Sequence, residues 1–426
     1  MPSHRSPFAA FKSIGPAIIV AAVVLGPGSI LASSKVGAIF GYSAVWVLVL
    51  AAILLVGMVS LAAHVGLVYE RTPCQEIAAR LGKKSAAVLG IVVFLIIACF
   101  QTSNNLAVST AIEPLFSSGA EPPSWLPAVA VLTINLIALA AIYFLPGLYR
   151  RIEAVMKVLV LIMIIAFLTN AIAAAPSLIA TLKGMIPILP VPGYELKDPY
   201  ITLQALIATT FSVAAAFYQA YLVRERGWNL GDTAKVRSDT SFGIFVLAGI
   251  SLLIMMTSAA VFYGKPEAAN LKSASDVAQQ LEPLFASWAK VIFGIGLVAA
   301  AVSSFLVNAM IGGTILADGL GLGSKIGEKW PRHFTALALL VGLVVGLLST
   351  TTGFSNVSLI IFAQALTVLG VPALAAALIY LATRPELTGE RKLPRNSLSL
   401  AYLGAAVTLI LAFRTATSLV TRLFFS

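Results

Sequence analysis

Eleven times along this chain an apolar run reaches the roughly 18 to 25 residues that carry an α-helix across a ~30 Å hydrocarbon layer. The runs fall at 14–38, 43–68, 86–112, 125–146, 151–174, 201–223, 240–263, 287–314, 333–351, 356–382 and 399–420. The longest connections, 176–200 and 265–288, are too short to bury a core of their own. With 59% hydrophobic and 11% charged residues, against about a quarter charged in an average soluble domain, the chain has too little polar surface to fold in water. The expected fold class is therefore an all-α integral membrane domain of about eleven transmembrane helices, with the bilayer as its partner.

A net charge of +11 suggests nucleic acid only until the charges are placed. With the N-terminus on the cytoplasmic side, nineteen of the 28 Lys and Arg residues fall in cytoplasmic segments and seven on the opposite side. That bias fixes the orientation, and no nucleic-acid partner is expected. The first run shows no small-residue cleavage site and is read as a retained span of a prokaryotic inner membrane. Cys74 and Cys99 fall on different elements without metal-ligand spacing and are read as free thiols.

Eleven helices divide as five, five and one, the pattern of two inverted repeats with a helix added. The expected organisation is a tail at 1–13, a first repeat at 14–174, an outer loop at 175–200, a second repeat at 201–382, and a loop with the eleventh helix at 383–426. In the middle of the first span stand Gly26, Pro27, Gly28 and Ser29. Pro27 lacks an amide donor and clashes with the preceding turn, while the glycines admit non-helical dihedrals, so the helix should break there. Broken backbone at membrane depth is tolerated where it lines a cavity, which makes these four residues candidates for a binding site. The equivalent sixth helix has no Pro or Gly at its centre, but carries Thr209, Thr210 and Ser212, suited to ligand contact or to bonding back onto the preceding turn.

Three segments, "GPGSILASSKVGAIFGY", "LAAHVGLVYERTPCQEIAARLG" and "RRIEAVMKVLVLIMIIAFL", give the chain a resemblance to the NRAMP family of divalent-metal transporters over roughly residues 12–395. The resemblance implies the leucine-transporter-type fold of five plus five helices and a secondary transporter. The family's site motifs differ: its Asp-Pro-Gly-Asn aligns with Gly26 to Ser29, and its Met-Pro-His with Ser212, Val213 and Ala214. The acidic residues of its third helix give way to Gln101–Asn105. Gln364 in the tenth helix keeps an amide where the family also has a polar site group.

Transition metals need carboxylate, imidazole or sulfur, and Mg²⁺ needs oxygen ligands with a carboxylate or two. The expected midplane offers neither, so no metal ligand and no cofactor is assigned. What remains are neutral groups: the amides of the broken helix, Ser29, Thr209, Thr210, Ser212, Asn104, Asn105 and Gln364, with Lys35 at the entrance. A half-helix turns its free amides and positive dipole end toward the break, an environment for an anion. The substrate expected is a small inorganic anion, bicarbonate first, moved by alternating access between helices 1 and 6. A divalent cation, Mg²⁺ or Mn²⁺, is the alternative within the class, and an NRAMP-like receptor the alternative outside it. No intramembrane catalytic pair is seen, so no enzyme is expected. Whether H⁺ or Na⁺ is coupled to transport is left open.

Overall fold

The computed structural model describes residues 24–112, 123–144, 161, 164–165, 167–193, 198–265, 271, 274–281, 289–349 and 356–424. Its elements in chain order are α1 (Pro27–Phe40), α2 (Val45–Val68), α3 (Pro73–Leu81), α4 (Lys83–Ala111), α5 (Leu126–Phe144), α6 (Leu178–Lys183), α7 (Tyr200–Thr210) and α8 (Val213–Glu225). There follow α9 (Thr233–Phe262), α10 (Ala274–Ala278), α11 (Ala289–Gly319), α12 (Lys329–Ser349), α13 (Asn356–Leu366), α14 (Val371–Ala382) and α15 (Arg395–Phe424). Among the described residues, nine helical stretches are long and apolar enough to cross a membrane, and the first, Pro27–Val68, holds two of the expected spans. The tail, the first half of the first span and most of the fifth span lie outside the described residues.

Helix boundaries follow local chemistry. Pro27 opens α1, where its missing N–H costs nothing, and Gly41 closes it at φ 58°, a left-handed conformation that favours glycine. The short α3 at the helix turnaround is fixed by a capping box: Thr72 Oγ1 accepts from the Gln75 amide, and Gln75 Oε1 accepts from the Thr72 amide. His333 joins two of the helices. It lies inside α12, where its Nδ1 pairs with the Tyr143 hydroxyl of α5 at 2.9 Å.

The helices pack through small residues, as expected where lipid supplies no hydrophobic drive between them. Gly342 and Gly346 of α12 present their bare backbone to Gln101 and Asn105 of α4. Gly66 of α2 abuts the Ala220 backbone of α8, and Gly37 of α1 abuts the Met255 carbonyl of α9. These close approaches tie the two broken elements, α1 and the α7–α8 pair, into the centre of the bundle.

Candidate functional site

Two helix interruptions build the site. At the first, Gly26 has an extended backbone (φ −70°, ψ 176°) and α1 begins immediately after it. The Gly26 carbonyl accepts from the amides of Ser29 and Ile30, at 3.0 and 3.3 Å. Since Pro27 has no N–H, the Gly28 amide is the first-turn donor left without an intrahelical acceptor.

The second interruption parts α7 from α8. The Phe211 amide still reaches the Ile207 carbonyl at 2.7 Å, but Ser212 then turns extended (φ −76°, ψ 91°) and the ladder stops. Helix α8 resumes at Val213, and its first bond across the break is from the Ala216 amide to the Ser212 carbonyl at 3.0 Å. The amides of Val213, Ala214 and Ala215 and the last carbonyls of α7 therefore face the gap without ladder partners.

Helix α13 closes the arrangement, packing against both α1 and α7. Its Gln364 side chain lies across Gly28, filling the space a β-carbon there would occupy. The Gln364 Oε1, Ser29 Oγ and Thr210 Oγ1 atoms are all buried and lack a hydrogen-bond partner. Three orphaned polar atoms cost free energy unless a ligand or water meets them.

The other sequence candidates sit differently. Thr209 turns its hydroxyl back onto the carbonyls of Ala205 and Leu206, at 2.9 and 3.1 Å, so it is already satisfied within α7. Ser212 supplies the bend but makes no side-chain cap. Asn104 and Asn105 are held in an amide network between α4, α5 and α11: Ser304 Oγ donates to Asn104 Oδ1 at 2.8 Å, and Asn135 Nδ2 donates to Asn105 Oδ1 at 2.6 Å. Gln101 extends it, its Nε2 donating to the Phe305 carbonyl at 2.7 Å. That network joins three helices. Lys35 is half-buried on α1 with the Asp276 carboxylate acting on its charge.

Two clusters of buried polar side chains flank the breaks. Toward α10, Gln280 is buried and bonded to Ser34 Oγ, while Ser258 Oγ donates to the Ser34 carbonyl at 2.5 Å. Toward α3, the Tyr221 hydroxyl donates to Asp318 Oδ2 at 2.7 Å, and Arg224 donates to the carbonyls of Tyr69 and Glu70. Arg391 donates to the Val68 carbonyl at 2.7 Å, and Tyr69 to the Leu381 carbonyl at 2.8 Å. Cys74 lies against the Tyr221–Asp318 pair, and burial pushes its thiol pKa up. Among the described residues, no group of three or more His, Cys, Asp or Glu side chains is placed to hold a metal ion.

A family model described as "Natural resistance-associated macrophage protein-like" matches residues 17–420. The chain belongs to the Nramp family. Its relatives include proteins named divalent metal cation transporter MntH. That of Deinococcus radiodurans is 25% identical over 403 residues, covering 93% of this chain and 88% of the relative. That of Mesorhizobium japonicum is 24% identical over 419 residues, covering 95% and 88%. The fold matches a mutant of the Eremococcus coleocola manganese transporter with a TM-score of 0.78 at 19% identity, over 100% of this chain and 90% of that one. A more distant match is a nucleobase–cation symporter in a closed conformation, with a TM-score of 0.56 at 12% identity, over 96% and 92%. Being an Nramp protein, the chain is a multi-pass membrane transporter with the leucine-transporter-type fold.

Proposed function

We propose that this Nramp protein moves a small inorganic anion by alternating access, bound between the α1 break, the α7–α8 break and Gln364. The observation that carries this reading is the donor set at the two breaks. The two helix N-termini, the unpartnered Ser29 and Thr210 hydroxyls at the breaks and the Gln364 amide over Gly28 supply it, and none of these groups carries a negative charge. Free amides and a positive dipole end favour an anion by about 0.3–1 kcal/mol each, and more where water is excluded. Bicarbonate suits the set further, because it carries one O–H that needs an acceptor and Gln364 Oε1 is an acceptor without a partner. In this reading the N-terminus is cytoplasmic, and the repeats run 14–174 and 201–382.

A second reading, a divalent cation, is the one the comparisons favour over the anion, and two observations support it. The relatives are named as divalent metal transporters, and the last carbonyls of α7 together with Gln364 Oε1 and Ser29 Oγ offer oxygen ligands. Such a set suits a hard ion that keeps part of its water, since neutral oxygens do not repay full dehydration.

Flux in proteoliposomes separates the two. With EDTA present, the anion reading expects saturable uptake of labelled bicarbonate and no quenching of an internal Mn²⁺-sensitive dye when Mn²⁺ replaces EDTA. Saturable Mn²⁺ or Mg²⁺ uptake without bicarbonate flux rejects the anion and establishes the cation.

A further inference from the structure

Away from the ion path, α2, α7 and α15 leave between them a groove of about 530 Å³. Leu50 and Leu54 of α2, Leu203 and Ile207 of α7, and Val407 and Ile410 of α15 form its walls. The polar side chain among them, Gln204, is turned aside: its Nε2 donates to Thr415 Oγ1 at 3.1 Å. A groove so apolar does not hold an ion or an ordered water, which needs polar partners.

The mouth has a different chemistry. Trp46 Nε1 donates to the Ile188 carbonyl at 2.8 Å, and Tyr200 stands beside it with the Arg414 guanidinium 5.5 Å from its ring centre. Trp and Tyr in this pairing mark the level of lipid headgroups. From Trp46 to Leu54 is eight residues of helix, a descent of about 12 Å into the hydrocarbon at 1.5 Å per residue. Among the described residues, the charge near the mouth is net positive. Arg414 bonds Asp198 at 2.8 Å, and exposed Lys183 adjoins Gly184, whose carbonyl accepts from the Trp46 amide at 2.9 Å.

We propose that this groove is a site for one acyl chain of an anionic phospholipid, whose phosphate sits at Arg414 and Lys183. The depth from headgroup belt to hydrocarbon, the apolar walls and the two cations over one carboxylate match the two ends of such a molecule. The occupied groove braces α7, and Thr210 at the end of α7 is three residues beyond Ile207, so the lipid bears on the half-helix that must move during transport. This site does not depend on which ion is carried.

The test uses the full-length protein, purified in detergent and stripped of lipid, titrated with dioleoylphosphatidylglycerol or dioleoylphosphatidylcholine while the unfolding temperature is followed. The expected result is a saturable rise with both, at a midpoint about tenfold lower for phosphatidylglycerol, because the choline cation of phosphatidylcholine is repelled by the same positive charge that holds the phosphate. Val407→Trp fills the groove and abolishes both rises. Should that variant fold poorly, Ile410→Trp at the exposed rim serves the same purpose. Arg414→Gln keeps a rise but removes the preference for phosphatidylglycerol. Equal midpoints for the two lipids, or unchanged rises in the filled variants, overturn the proposal. So does a lipid-insensitive dimer in detergent that Val407→Trp dissociates, which assigns the groove to a second copy of the chain.

Discussion

The Gln364 side chain occupies the space over Gly28, so that the amide of the tenth span rests directly on the break in the first. Neither residue can change size independently. Gly28→Ala drives a methyl group into the Gln364 amide, and overpacking of this kind costs about 1–3 kcal/mol. The expected outcome is a lower unfolding temperature together with lost transport. Gly28→Ala combined with Gln364→Ala should recover the stability and leave transport absent, because the room returns but the amide does not.

The hydroxyls around the breaks divide by whether they already have partners. Ser29→Ala and Thr210→Val remove groups that the protein leaves unbonded, and each should weaken substrate affinity on the order of ten- to a hundredfold, the worth of a hydrogen bond to a charged ligand. Thr209→Val removes a hydroxyl spent on the Ala205 and Leu206 carbonyls and should leave uptake near the native level. Concentration dependence of uptake in all three variants checks the division. Equal losses at Thr209 and Thr210 would contradict it.

At the end near α3, the Tyr221 hydroxyl bonds Asp318 and Cys74 is buried against the pair. Tyr221→Phe keeps the ring and deletes the bond, which biases the equilibrium toward opening at this end. The native Cys74 thiol reports the change. Buried and with its pKa raised, it should react slowly with a maleimide in the native protein and several-fold faster in Tyr221→Phe, both carried on Cys99→Ser. Equal labelling rates would mean that the bond does not hold the closed state.

The unequal legibility of the two breaks has a physical reason. At Gly26 to Ser29 the interruption is written in residue type, since proline and glycine alter the backbone whatever surrounds them. At Phe211 and Ser212 no such residue stands, and the interruption depends on neighbours: the Phe211 ring packs against Gly404 of α15, a contact separated by nearly two hundred positions. The tenth span is also interrupted, by a 3-10 turn at Thr367–Gly370 ahead of Pro372, and the Gly370-Val371-Pro372 run is its mark in the sequence. Asn104 and Asn105 read as site residues because an intramembrane amide is costly without a function. Their partners Asn135 and Ser304 lie on other helices, and only the fold brings these side chains together. That the chain is built of apolar spans was readable in the sequence because hydropathy is additive along it.

Placing a carboxylate at the first break should invert the site's preference. Gly26 has a backbone conformation open to any residue, so Gly26→Asp is expected to fold. A negative charge at ~4 Å would repel a bound anion by several kcal/mol at an effective dielectric near 20. Bicarbonate uptake should collapse, and weak Mn²⁺ binding should appear by calorimetry. Retained anion flux in this variant would place the substrate elsewhere.

The sign of the charge moved tests the account most directly. Proteoliposomes adsorbed on a solid-supported membrane are exchanged rapidly into substrate, and the transient current is recorded for the native protein and for Ser29→Ala. For uncoupled transport the account predicts a current carried by negative charge entering with bicarbonate, reduced in the variant, and with or without coupling it predicts none on addition of Mn²⁺ or Mg²⁺. A current carried by positive charge with either metal, and silence with bicarbonate, would contradict it.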